Sequence, residues 1–114
     1  MRQGSRTHRA VAGKTAIITG GASGIGKALS EALSLAGADV VIADRQTSVA
    51  EEAARQLRDA GRLATAVELD VRDFPQMQRV VDETAARTGK IDMFFNNAGI
   101  GVGGDGRLRP RRLG

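Results

Sequence analysis

The chain has no cysteine, tyrosine or tryptophan, one histidine and two prolines in 114 residues. Without cysteine there is no disulfide framework, no thiolate metal ligand and no thiol nucleophile. The one histidine, His8, sits in a polar N-terminal arm, where a solvated side chain is the ordinary reading and a ligand the exception. Aromatic residues are limited to three phenylalanines, so bases of a nucleic acid would find few stacking platforms. No apolar run approaches the roughly 18 residues of a membrane-spanning helix. The arginine-bearing N-terminus has no apolar segment of the kind a secretory leader carries. These absences predict a cytoplasmic globular domain that binds neither nucleic acid nor membrane.

Charge of one sign is also scarcer than the total suggests. The formal net charge is +4, yet residues 1–12 hold three arginines and no acid, and residues 105–114 hold four arginines and one aspartate. The stretch between them, residues 13–104, has ten basic and twelve acidic side chains, so the domain proper is slightly acidic. The expected organisation is a flexible basic arm over 1–12, one domain over 13–100 and a disordered tail over 101–114, where Gly and Arg replace any periodic apolar pattern.

Within the domain, apolar runs alternate with helical periodicity. Strands are expected at Lys14 to Thr19, Asp39 to Ala43, Leu63 to Leu69 and Ile91 to Phe95. The first helix runs from about Gly24 to Ala36, with Gly37 in the position that ends it. The second starts at Ser48, whose spacing to Glu51 reads as a capping box, and places Val49, Ala53, Leu57 and Ala60 on its inner face before Gly61. Asp73 caps the third, which tolerates Pro75 in its first turn and points Met77, Val80, Val81 and Ala85 inward before Gly89. Short connections between alternating strands and helices imply parallel pairing by right-handed crossovers, hence a doubly wound α/β sheet in the order 3-2-1-4. Ligands of such sheets bind outside the carboxyl ends of the strands.

The most informative segment lies at the first of those ends. Thr19-Gly20-Gly21-Ala22-Ser23-Gly24-Ile25-Gly26 joins a strand to a helix N-terminus, where free backbone N–H groups and the helix dipole favour an anion. Glycines there let the backbone approach a pyrophosphate closely. The second strand ends at Asp44, eighteen residues beyond Gly26, a spacing suited to an acid that accepts from ribose hydroxyls. The third is followed by Asp70-Val71, and the fourth by Asn96-Asn97-Ala98-Gly99. Each signal alone has a bland reading as a loop residue or a turn cap; four at successive strand ends are hard to assemble by chance. The segment from Gly21 to Lys27 also fits the phosphate loop of nucleoside triphosphatases, but Ala28 stands where that loop needs a hydroxyl for Mg²⁺.

Together, Thr19 to Gly26, Asp44, Asp70-Val71 and Asn96 to Gly99 resemble the short-chain dehydrogenase/reductase family in order and spacing, over about residues 13–100. The resemblance implies a Rossmann-type fold, an NAD(P) site and oxidoreductase chemistry on alcohol or carbonyl groups. It assigns Gly20, Ser23, Gly24, Ile25 and Gly26 to the pyrophosphate and the nicotinamide-side ribose, and Asp44 to the adenosine ribose. It gives Asp70 and the Val71 backbone to the adenine, and Asn96, Asn97, Ala98 and Gly99 to the floor of the site. Asp44 would repel a 2′-phosphate of roughly −1.5 to −2 charge, which favours NAD over NADP. Arg45 could pair with that phosphate instead, although a solvated loop cation is its plainer reading. The family's catalytic set is a tyrosine, a lysine four residues later and an upstream serine, with a further asparagine in the proton relay. This chain has no tyrosine, so no catalytic residue is assigned. The expectation is the dinucleotide-binding half of a reductase, truncated or frame-shifted after Ile100, with a non-catalytic NAD(P)-binding or interaction module as the alternative. The apolar strand at 91–95 would then form an open sheet edge, and self-association through it is expected.

Overall fold

A computed structural model describes residues 11–97. The expected arm (1–12, apart from its last two residues) and tail (101–114) lie outside the described residues, as do Ala98 and Gly99. Four strands and three helices alternate: β1 (Thr15–Thr19), α1 (Gly24–Leu35), β2 (Asp39–Asp44), α2 (Thr47–Asp59), β3 (Ala64–Glu68), α3 (Phe74–Thr88) and β4 (Met93–Asn96). The strands form one parallel sheet in the order β3-β2-β1-β4, as expected from the sequence.

Alternate side chains of a strand face opposite sides of the sheet, and both sides are covered here. Ala16, Ile18, Val40, Ile42 and Ala64 face α1 and α2. That interface is lined on α2 by Ala50, Ala53, Ala54 and Leu57, three of them alanines that let the helix approach the strands closely. Ile17, Val41, Ala43 and Leu69 face the other way, against Val80 and its half-buried neighbours Met77 and Val81 on α3. All five residues of β1 are buried, the apolar Ala16-Ile17-Ile18 run flanked by Thr15 and Thr19. Phe94, opposite Ile17 on the outermost strand, remains 40% exposed.

Four local expectations are corrected. The capping box at Ser48 does not form: α2 begins at Thr47 behind Gln46, with no side-chain cap. The Asp44 carboxylate accepts from the Gln46 N–H at 3.0 Å and so sets the turn one residue earlier, while Glu51 is drawn to Arg58 at 2.5 Å. On α2 the buried set includes Ala50, whereas Val49 and Ala60 face solvent. On α3, Thr84 is buried and Ala85 only half-buried. β4 starts at Met93 rather than Ile91. Asp92 uses its carboxylate, with a pKa held below the ordinary carboxylate value by the Lys90 ammonium and the Thr15 N–H, to brace the start of β1. Asp73, by contrast, caps α3 as expected, accepting from the Gln76 N–H at 3.0 Å.

Candidate functional site

The turn from Thr19 to Gly26 is held from several directions. The Gly20 N–H donates to the Ala43 carbonyl at 2.8 Å, which ties the turn to the end of β2. The Ala22 N–H donates to the Asp44 carboxylate at 3.3 Å. From the β4 side, the Asn97 amide donates to the Gly20 carbonyl at 3.3 Å, and the Thr19 hydroxyl donates to the Asn96 side-chain oxygen at 3.0 Å. Asn96 and Asn97 therefore buttress the turn.

Two glycines meet distinct demands. Gly24 adopts φ +58°, the left-handed region, with open space where a Cβ would lie. Gly26 is packed so that a Cβ would stand 2.1 Å from the Gly20 carbonyl oxygen and 2.8 Å from the Asn97 amide nitrogen. The first turn of α1 thus sits directly against the Gly20 peptide. Ser23 is the N-cap of α1 in an extended conformation, its hydroxyl makes no capping bond, and no acid lies in the first turn. A helix start whose leading N–H groups lack intrahelical acceptors, with no acid in its own first turn, is open to an anion. Ser23, Gly24 and Ile25 are exposed there, Ile25 at 73%.

Beside the turn, at the carboxyl ends of β1, β2 and β3, lies a cavity of about 240 Å³ lined by Gly20, Asp44, Arg45, Leu69, Asp70, Val71 and Arg72. Five of the sequence-predicted site residues (Gly20, Asp44, Arg45, Asp70 and Val71) meet in it. Ser23, Gly24, Ile25, Gly26, Asn96 and Asn97 build the adjoining turn and its support. Asp44 is half-buried, and each of its carboxylate oxygens accepts a backbone N–H, from Ala22 and from Gln46. It is therefore fixed in place before any ligand arrives.

Two residues of this region went unnoticed in the sequence. Gln76, on the first turn of α3, accepts from the Asp70 N–H at 2.7 Å and anchors the loop after β3. Arg72 forks onto Asp70: its Nε and terminal nitrogen donate to the two carboxylate oxygens at 3.0 and 2.9 Å, and its own N–H adds a third bond at 3.0 Å. This guanidinium, with its backbone N–H, holds the Asp70 carboxyl far below the ordinary carboxylate range. The Asp-x-Arg spacing was the available signal. Among the described residues no cluster of His, Cys, Asp or Glu is arranged to hold a metal, and no helix is long and apolar enough to cross a membrane.

Comparison with known proteins places this geometry in context. Residues 14–110 match the family described as short chain dehydrogenase. The chain is 44% identical over 93 residues to tropinone reductase-like 2 of Erythroxylum coca, covering 82% of this chain and 33% of the relative. It is 39% identical over 100 residues to the short chain dehydrogenase/reductase dpchG of Colletotrichum higginsianum, covering 88% of this chain and 37% of the relative. Among solved structures, a hydroxysteroid dehydrogenase from Escherichia coli superposes with a TM-score of 0.75 at 30% identity, over 79% of this chain and 38% of that one. The chain spans about a third of the length of the curated relatives it matches. Sheet order, glycine turn and sequence similarity agree, and the chain belongs to the short-chain dehydrogenase/reductase family of NAD(P)-dependent oxidoreductases.

Proposed function

We propose that this chain binds a dinucleotide across the ends of β1, β2 and β3, NAD in preference to NADP, as the nucleotide-holding part of an oxidoreductase acting on alcohol or carbonyl groups. The observation that carries the reading is the meeting of Gly20, Asp44, Asp70 and Val71 in one cavity beside an uncapped helix start. The residues fit the group. The close seat of Gly26 against Gly20 brings backbone, not side chain, to where a pyrophosphate would lie, and the dipole of α1 favours its charge. Ser23, Gly24 and Ile25 would serve the pyrophosphate and the nicotinamide-side ribose, Asp44 the adenosine ribose hydroxyls, and Asp70 with the Val71 backbone the adenine. The bound nicotinamide would supply or accept the hydride. Asp44, already fixed by two backbone N–H groups, offers its charge where a 2′-phosphate would have to sit, which supports NAD. Arg45 on the same cavity argues the other way, for NADP.

The absence of tyrosine favours a second reading for these 114 residues, a dinucleotide-binding module without turnover of its own. The general acid that the family uses is a tyrosine hydroxyl, and the sequence holds no tyrosine. The zero cysteine count leaves the fold independent of an oxidising compartment, which is compatible with the cytoplasmic location we infer.

The test is a fluorescence titration with NADH, with NADPH and MgATP as competitors. Native chain is expected to bind NADH. Asp44→Ala is expected to bind it about tenfold or more weakly, since hydrogen bonds to a charged group contribute about 1.5–3 kcal/mol. No binding by the native chain, or equal binding by the variant, would refute the proposal.

We further infer that the outer edge of β4 pairs with a second copy of the chain. Among the described residues β4 closes the sheet on that side, and it presents an apolar Met-Phe-Phe run with Phe94 part-exposed. Strand edges of this kind template pairing. Sedimentation is expected to show dimers or larger species at tens of micromolar; a stable monomer at that concentration would count against it.

A further inference from the structure

We propose that Arg72 is an internal competitor for the adenine subsite: it holds most of the acceptor positions of the Asp70 carboxylate in the free protein and competes with the dinucleotide for them. The inference rests on the dinucleotide reading above and deepens it. Asp70 lines the cavity at the end of β3, and so does Arg72. A carboxylate has about four lone-pair positions. Three of those on Asp70 are taken by Arg72 alone, two by the planar guanidinium and one by the backbone N–H. An exocyclic amine approaching Asp70 from the cavity meets an acceptor already engaged in a bidentate, charge-assisted pair.

The exchange is feasible because Arg72 is poorly anchored otherwise. Its side chain is 73% exposed, against 32% for Asp70, so the guanidinium is released into water while the carboxylate stays in the cavity wall. The Asp70 backbone does not depend on Arg72. Its N–H is held by Gln76 on α3, so the acceptor keeps its position when the arginine swings away. Arg45, the other arginine of the cavity, acts on Asp70 through its charge, with no hydrogen bond to it among the described residues, and so does not occupy the acceptor positions that Arg72 holds.

Taking a cation from the rim of an anion site ordinarily weakens binding of a pyrophosphate. If Arg72 competes for Asp70, its removal tightens binding instead. Exposed ion pairs contribute modestly, so the expected gain for NADH with Arg72→Met is about two- to fivefold. Arg72→Lys, which keeps the charge but loses the fork, is expected to gain less. Arg45→Met is expected not to tighten. The gain should vanish in an Asp70→Asn background, where the pair no longer exists; this double-mutant cycle separates competition from a general change in charge.

The experiment is an NADH titration of the full 114-residue chain and these variants. Native binding with tighter binding by Arg72→Met, lost in the Asp70→Asn background, supports the inference. Native binding with equal or weaker binding by Arg72→Met overturns it while the dinucleotide reading stands. If Arg72→Met does not fold, Arg72→Lys decides by the same sign. Absence of NADH binding by the native chain and every variant overturns both.

Discussion

Gly26→Ala is expected to lose dinucleotide binding and much of the stability of the turn. The added Cβ would stand 2.1 Å from the Gly20 carbonyl oxygen and 2.8 Å from the Gly20 carbonyl carbon. Neither atom is the tip of a flexible side chain. The Gly20 peptide is held by its N–H on the Ala43 carbonyl at 2.8 Å, and its oxygen accepts from Asn97 at 3.3 Å. Relief therefore requires α1 to lift away from β1, which also disturbs Ser30, buried on the same helix and bonded to the Gly26 carbonyl at 2.9 Å. Overpacking at such a site costs about 1–3 kcal/mol and sometimes more. The same displacement moves the N–H groups that would face the pyrophosphate. If the upper end of that cost falls on the binding-competent state, NADH affinity falls by about a hundredfold. Thermal unfolding and NADH titration check both halves. Gly24→Ala is the control, since its Cβ meets nothing within 4 Å and only the left-handed backbone is strained. Native affinity and midpoint in Gly26→Ala would show that the turn does not need the close approach.

Ile18→Ala is expected to bring the chain to the margin of unfolding. Ile18 is fully buried on the central strand β1, paired with Ile42 on one side and Phe95 on the other, and packs in the cluster beneath α1 and α2. Truncating a buried isoleucine costs about 2–5 kcal/mol, because lost transfer energy and an unfilled cavity add. A domain of this size has a total stability of about 5–15 kcal/mol, so one such change removes a large share of it. The neighbours cannot close the gap easily. They are themselves strand residues held in register by the parallel ladder, with the small side chains of α2 already in close contact. Urea denaturation should show a much lower midpoint with an unchanged slope. A shift of less than about 1 kcal/mol would mean that the core relaxes around the loss.

The alternation of elements was legible because its signals are local. β1 and β2 are buried on both faces and carry central apolar runs, Ala16-Ile17-Ile18 and Val40-Val41-Ile42-Ala43, and α3 carries its own cap in Asp73. Helix boundaries were less legible where two local signals competed. Ser48 and Glu51 have the spacing of a capping box, but Asp44 orders the Gln46 N–H first and Arg58 takes Glu51. Spacing does not reveal which acceptor a given N–H will meet. Val49 and Ala50 show the same limit: a rotation of one position about α2 exchanges the buried residue, and only contact with β2 and β3 sets it.

By itself the sequence determined the doubly wound architecture, the strand order, the family and the residues at each strand end, because hydrophobic periodicity and a glycine turn are properties of consecutive positions. Tertiary structure alone decided how those ends meet. It seated Gly26 against Gly20, set Asn96 and Asn97 under the turn, and fixed Asp44 by the N–H groups of Ala22 and Gln46. It also gave the Asp70 carboxylate to Arg72. Most of those outcomes depend on distances between segments far apart in the chain; where a local spacing such as Asp-x-Arg is visible, it does not tell which donor wins the shared acceptor.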